Sequence, residues 1–200
     1  MGGADKLEAI HDFLEASDVQ TDQEAGGVRF TASDIWLAPD SLRQEQTLTG
    51  RKVVSFLSGR SGWIAAPEGA GPLAGAPLKQ AQGELFRLYF RLLLSDRMEG
   101  RTVNAVDDRT IEIVDAAGQT ARLVVDPESG MPRGLGYALA SASGPPLETE
   151  EAWSDFRETA GVKIPYRIAV TRNGLKFADV TVTDCKINSG LKLEEMRKRP

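Results

Sequence analysis

The stretch that decides the fold is residues 78–94, LKQAQGELFRLYFRLLL, which predicts a helix that is apolar on almost all sides. At 3.6 residues per turn, four of its polar side chains fall on one stripe roughly 60° wide. This stripe consists of Gln80, Glu84, Arg87 and Arg91. A surface helix has a wider polar face than this, so most of this helix needs apolar contact. We predict that the helix is buried against other elements and that only the stripe, with both arginines, lies at the exposed rim.

The rest of the chain is typical of short strands separated by turns. Apolar and polar residues alternate over residues 110–125 and 162–171, and Asn173-Gly174 is a strong hairpin signal. The count is about eleven strands, preceded by a short helix over residues 5–13, with no regular alternation of strands and helices. The pattern predicts an α+β fold in which a strongly curved antiparallel sheet wraps helix 78–94 in its concave face.

Length and charge limit the function classes. Two hundred residues fit one domain spanning 1–200, and a net charge of −5 with a pI near 5.1 argues against a nucleic-acid surface. The longest mainly apolar run, residues 85–94, is too short to cross a bilayer. No signal peptide is visible at the start, and we expect an upstream segment to be missing.

The sequence contains few side chains that could act in catalysis or bind a metal. Cys185 is the only cysteine and His11 the only histidine, so the sequence contains neither a cysteine–histidine motif nor a metal-ligand motif. The adjacent carboxylates Glu150 and Glu151 lie on a predicted strand and therefore point to opposite faces. We predict a protein that is not an enzyme, with no catalytic residue, metal or cofactor. A hydrolase or isomerase is the least favoured hypothesis, because no acid–base constellation is found.

Four segments resemble, in the same order, parts of bacterial lipoprotein-sorting proteins. The opening GGADKLEAI (residues 2–10) is similar to the mature start of uncharacterised members. The hairpin SFLSGRSGWIAAP (55–67), the turn VDPESGMP (125–132) and the strand pair WSDFR and GVKIP (153–157 and 161–165) resemble their counterparts. The family is the outer-membrane lipoprotein-sorting superfamily of the LolA/LolB type.

This resemblance implies an open half β-barrel with helices in its concave side and a periplasmic location. It also implies binding of lipoprotein acyl chains or another hydrophobic ligand, with other envelope proteins as partners. One departure concerns the lid helices, because the carriers have an arginine before the proline that matches Pro39, and this chain has Ala38. That change puts the lid-opening cycle in question. The alternative is an accessory domain with a filled core and no ligand, as found attached to zinc-peptidase-like chains.

The candidate ligand-binding residues are apolar side chains on the helix and one nearby strand. They are Trp63, Leu85, Leu88, Tyr89 and Leu92. The space between the sheet and helix 78–94 separates the two hypotheses: an empty apolar tunnel favours a carrier, and a close-packed core favours the accessory domain.

Overall fold

In the computed structural model, which describes residues 1–141 and 143–200, one open antiparallel sheet of thirteen strands forms most of the chain. The strands are β1 (Asp12–Thr21), β2 (Arg29–Leu37), β3 (Ser41–Leu48), β4 (Arg51–Ser58), β5 (Ser61–Ala66), β6 (Gly69–Pro72), β7 (Arg101–Ala105), β8 (Thr110–Asp115), β9 (Thr120–Val125), β10 (Pro132–Leu139), β11 (Leu147–Thr159), β12 (Val162–Arg172) and β13 (Leu175–Ile187). Their order is β6-β5-β4-β3-β2-β1-β13-β12-β11-β10-β9-β8-β7. The first and last strands therefore pair at the centre of the sheet.

The predicted antiparallel sheet is confirmed, but the count of eleven strands is wrong. One strand missed in the prediction is β6, because its segment is rich in Gly, Ala and Pro, a composition that predicts a loop. Pro72 fits there because β6 is an edge strand, where a missing N–H group is tolerated. The Asn173-Gly174 hairpin is confirmed between β12 and β13, and an extra residue, Phe177, makes a bulge in β13 next to that hairpin.

Of the four helices in the described residues, one has thirteen residues and the others four or five, and the single helix predicted over 78–94 is wrong. The helices are α1 (Ala4–Glu8), α2 (Gly75–Arg87), α3 (Tyr89–Leu92) and α4 (Leu193–Met196), and a 3-10 turn covers Ser95–Arg97. Leu88, with ψ of 113°, interrupts the helix between α2 and α3. Arg101 bonds to carbonyls on both sides of the break, those of Phe86 (3.2 Å) and Arg91 (3.3 Å). It thereby satisfies two acceptors at the helix ends.

The α2 and α3 helices cover one face of the sheet, which we call the concave face. Phe86 and Tyr89 are only 5% and 9% exposed, so the predicted burial of this segment is confirmed. One side of α2 packs on β4 and the segment after β6, where Ala81 meets Leu57 and Leu73. The opposite, convex face is covered in part by α4. No helix in the described ranges has the length and apolar character needed to cross a membrane.

The N-terminal helix is shorter than predicted, because a buried carboxylate starts β1 early. Asp12 accepts hydrogen bonds from the backbone N–H groups of Ser189 (2.7 Å), Gly190 (2.8 Å) and Leu191 (3.2 Å), and from the Ser189 hydroxyl (2.8 Å). Burial by itself raises the pKa of Asp12, but these bonds outweigh it and the pKa is lowered. Asp12 therefore fastens the segment after β13 to the first strand.

We expect Asp12→Asn to reduce the free energy of unfolding at pH 7 by about 1–2 kcal/mol, because an amide supplies a single, uncharged acceptor oxygen. The folded pKa is lowered, so the wild-type contribution is present above the ordinary pKa of 3.8 and is lost as the pH falls through the folded value. Urea unfolding at pH 7 and pH 3 checks this. A difference between wild type and variant that is larger at pH 3 would contradict it.

Candidate functional site

One end of the concave face is filled by a close-packed aromatic cluster. Phe90 of α3 packs with its ring centroid 5.1 Å from Trp36 and 5.4 Å from Phe13, while Tyr89 lies 6.0 Å from Phe13 and 6.2 Å from Trp153. These separations are typical of favourable edge-on ring pairs. Phe90 is 1% exposed, so this end of the interior is core and not empty space.

A row of polar side chains crosses the middle of the concave face, next to the aromatic cluster. Glu15 of β1 lies opposite Asp34 of β2, Asp34 lies opposite Gln44 of β3, and Gln44 lies opposite Ser55 of β4. Directly opposed side chains on antiparallel strands have Cβ atoms roughly 5 Å apart, so these four groups form a continuous polar row. The Gln44 amide donates to Asp34 at 2.8 Å. All four residues are half-buried, so they border space as well as packed atoms.

A second polar group, made of Tyr137 on β10, Glu151 on β11 and Arg87 on α2, faces the row. Glu151 accepts hydrogen bonds from the Tyr137 hydroxyl (2.8 Å) and from the indole N–H of Trp153 (2.9 Å). The Arg87 guanidinium of α2 lies 3.8 Å from the centre of the Tyr137 ring, and it forms an ion pair with Glu84 at 2.7 Å. Helix α2 therefore contacts the β10–β11 side of the interior through the charged side chain of Arg87.

This geometry makes the predicted placement of the polar stripe wrong. The stripe faces the interior: Arg87 has only 7% of its side chain exposed, and Gln80 donates to the carbonyl of Ala140 at 2.8 Å. Arg91, predicted at the rim, is half-buried near the Trp36 ring. Gly83 lies under the guanidinium, and a Cβ there would come within 2.5 Å of an Arg87 nitrogen. Gln80 and Arg87 are polar because residues on the strand side of the interior supply contacts for their side chains.

Burial and mutual repulsion raise the pKa values of the interior carboxylates. Burial, together with the charges of Asp34 and Glu151, raises the pKa of Glu15 to about 8. Burial also raises the pKa of Asp34 to about 6; the Gln44 hydrogen bond opposes this shift, while Glu84 and Glu151 add to it. The pKa of Glu151 is raised mainly by burial. At neutral pH the interior therefore holds at least one protonated carboxyl group, that of Glu15.

A cavity of about 920 Å³ borders the second polar group. Arg87, Tyr137 and Glu151 contribute to its wall together with residues of β8 to β12, among them the exposed Arg122 and Glu150, so the cavity opens to solvent. The volume is in the range of small-molecule sites. The wall combines charged, hydroxyl and apolar groups, so it can hold a ligand that is polar at one end. Within the described ranges, no group of three or more His, Cys, Asp or Glu side chains has the geometry of a metal site.

The five residues predicted to bind ligand are divided between two faces of the sheet. Leu85 and Leu88 are half-buried on the concave side, and Tyr89 and Leu92 are buried there at 9% and 2% exposure. Trp63 packs with Phe56 and Met196 on the convex face, so the structure does not bring it together with the other four. Ligand binding by the four helix residues stays a prediction.

Sequence reasoning missed the polar row and the role of Arg87. A signal was present in the strands, because Glu15 and Asp34 occupy positions that alternate with apolar inward residues, Phe13 before Glu15 and Trp36 after Asp34. A carboxylate at a core position marks a functional or paired group.

The fold can be compared with those of known proteins. No protein-family model matches the sequence, and neither does any curated protein. Among solved structures, a LolA superfamily protein from Nitrosomonas europaea aligns with a TM-score of 0.64 at 15% identity, over 98% of this chain and 96% of that one. An outer membrane lipoprotein-sorting protein domain from Vibrio parahaemolyticus gives 0.63 at 10% identity, over 96% and 92%. A DUF1329 family protein from Desulfovibrio piger gives 0.56 at 13% identity, over 94% and 90%. The chain therefore has a LolA-like fold, an open antiparallel barrel with helices against its concave face.

Proposed function

We propose that this chain is a non-enzymatic binding protein of the periplasm, which shelters a lipoprotein acyl chain or another hydrophobic group in its concave interior. The observation that carries the proposal is the large apolar part of the concave face, covered by α2 and α3, in a fold that the solved lipoprotein-sorting structures share over nearly the whole chain. The half-buried Leu85 and Leu88 lie where α2 meets α3, next to this face.

Burial of apolar surface supplies the driving force. Each methylene group removed from water contributes about 0.8 kcal/mol, so even a short chain gains several kcal/mol before the costs of ordering it. Because the aromatic end is filled, the ligand's hydrocarbon chain enters beside Leu85 and Leu88. The α3 helix stays in place, since moving it would expose Phe90 and Leu92, which are only 1% and 2% exposed.

A second candidate function has its own supporting observation. The close ring packing of Phe13, Trp36 and Phe90 is that of a finished core, which favours an accessory or interaction domain that takes no ligand. The two candidates differ in one measurable property, which is saturable binding of an apolar chain by the folded protein.

We expect a fluorescent lipid with an uncharged head group to bind the wild-type protein saturably and to bind Leu88→Ala about tenfold more weakly, because the variant loses apolar contact at the mouth of the interior. Leu175→Ala is the matched control: Leu175 is 66% exposed at the start of β13, and its loss leaves binding unchanged. Titration with both variants, with circular dichroism to check folding, measures this. No saturable binding up to about 100 μM would favour the accessory domain.

A further inference from the structure

Two carboxylates in the concave interior lack a cation. Glu15 and Asp34 face each other across β1 and β2, and neither takes part in an ion pair within the described residues. The guanidinium groups of the interior are engaged elsewhere: Arg87 is paired with Glu84, Arg172 is stacked on Phe177, Arg91 lies near the Trp36 ring, and Arg101 donates to the carbonyls of Phe86 and Arg91. In the described residues, the Glu15 and Asp34 carboxyl groups therefore have no cationic partner.

The buried hydroxyl group of Tyr89 gives independent evidence for a ligand, because it lacks a hydrogen-bond partner among the described residues. Tyr89 of α3 is 9% exposed, and its hydroxyl has no hydrogen-bond partner in the described part of the chain. The Tyr89 ring lies 6.0 Å from that of Phe13, which shares a face of β1 with Glu15, so Tyr89 and Glu15 border the same region; burial and the Glu15 carboxylate both raise the pKa of Tyr89. An unmade hydrogen bond at a buried group is costly, and a bound group that reaches both Tyr89 and Glu15 would remove that cost.

The surroundings of this region are apolar on the other sides. Phe13 and Trp36 flank the carboxylates on the same strands, and the half-buried Leu88 precedes Tyr89. An ammonium group supplies several N–H donors and the positive charge that the two carboxylates lack, while an attached hydrocarbon chain matches the apolar wall.

We propose that the Glu15–Asp34 pair, with the Tyr89 hydroxyl, binds the ammonium group of an amphiphile whose hydrocarbon chain lies against the concave face. This proposal names the ligand class of the binding function proposed above and rests on it. Glu15 and Asp34 accept hydrogen bonds from the ammonium group, and the Tyr89 oxygen accepts a third.

The test compares three ligands with the same alkyl chain at pH 7: decylammonium, decanol and decanoate. We expect decylammonium to bind at least about tenfold more tightly than decanol, and decanoate to bind most weakly of the three. Glu15→Gln and Asp34→Asn should each lower the affinity for decylammonium about tenfold and leave that for decanol unchanged. Glu158→Gln, at an exposed position of β11 outside the cavity wall, is the matched control and should change neither.

Proton release gives a second readout. Glu15 is protonated at pH 7, so binding of a cation beside it should release about one proton, which calorimetry in two buffers of different ionisation enthalpy measures. Several titratable and charged groups face Glu15 or its carboxylate neighbours; they are Asp34 on β2, Glu151 on β11, Cys185 on β13, Tyr89 on α3, Tyr137 on β10, and Glu84 and Arg87 on α2. Loss of the release in Glu15→Gln would assign it to this carboxyl group.

The outcomes separate the two proposals. Equal binding of the three ligands, or tighter binding of decanoate, would overturn the ammonium site and leave the binding function intact. Absence of binding by all three would overturn both. A preference for decylammonium that persists in Glu15→Gln and in Asp34→Asn would place the cation elsewhere and overturn this assignment.

Discussion

Glu15→Gln is expected to make the protein roughly 4 kcal/mol more stable than the wild type at pH 9, and to leave its stability near pH 5 almost unchanged. The folded protein keeps the Glu15 proton up to about pH 8, whereas the unfolded chain releases it near the ordinary value of 4.5. The folded state therefore binds more protons over this interval, and the free energy of unfolding falls as the pH rises. A glutamine has the shape of the protonated carboxyl group and cannot ionise.

Urea unfolding between pH 5 and pH 9 measures this difference. Asp34 should add a smaller decrease in the free energy of unfolding at lower pH, because its pKa of about 6 is also above the ordinary value of 3.8. Glu150→Gln, one residue from Glu151 but on the exposed face, is the control and should follow the wild-type profile. If Glu15→Gln also follows the wild-type profile up to pH 9, Glu15 ionises in open solvent and does not belong to a buried polar row.

The apolar arc of residues 78–94 was sufficient to predict that this segment is buried and that the sheet wraps it. It was not sufficient to orient the segment. A narrow polar stripe points outward only if the interior has no polar partners, and Tyr137 and Glu151, which accompany Arg87, lie on strands distant in sequence. The break at Leu88 has the same origin, because the packing of Phe90 against Phe13 overrides helical continuity.

Strand alternation explains both a success and a failure. It placed Glu150 and Glu151 on opposite faces, as the structure has them: Glu150 is exposed and Glu151 is bonded inside. The same rule failed to assign Trp63 to a face, because β4 and β5 are apolar on both sides. Leu57 faces α2, whereas Phe56 and Trp63 face the C-terminal helix α4. Alternation separates two faces but does not say which one is concave.

Arg87→Met is expected to lower the free energy of unfolding at pH 7 by about 2 kcal/mol, because Arg87 is buried but its partner Glu84 is partly solvated. Methionine retains the length of the apolar stem, so the loss comes from the charge. Without the guanidinium, Glu84 loses its ion-pair partner and Glu151 loses a nearby positive charge, while Tyr137 loses the group that stacks on its ring. Solvent compensates part of the Glu84 charge, so most of the cost comes from the interior Glu151, which loses a nearby positive charge that water does not replace.

The matched control is Arg91→Met, four residues further along the chain, in α3. Arg91 is half-buried, makes no ion pair in the described ranges and lies 5.8 Å from the Trp36 ring, so its loss should cost no more than about 1 kcal/mol. The cost of Arg87→Met should also shrink as the pH falls from 7 to 5, because burial raises the pKa of Glu151 and its protonation removes the uncompensated charge. A cost that is the same at pH 5 and pH 7 would mean that Arg87 acts through packing, and that the carboxylates it faces are already neutral.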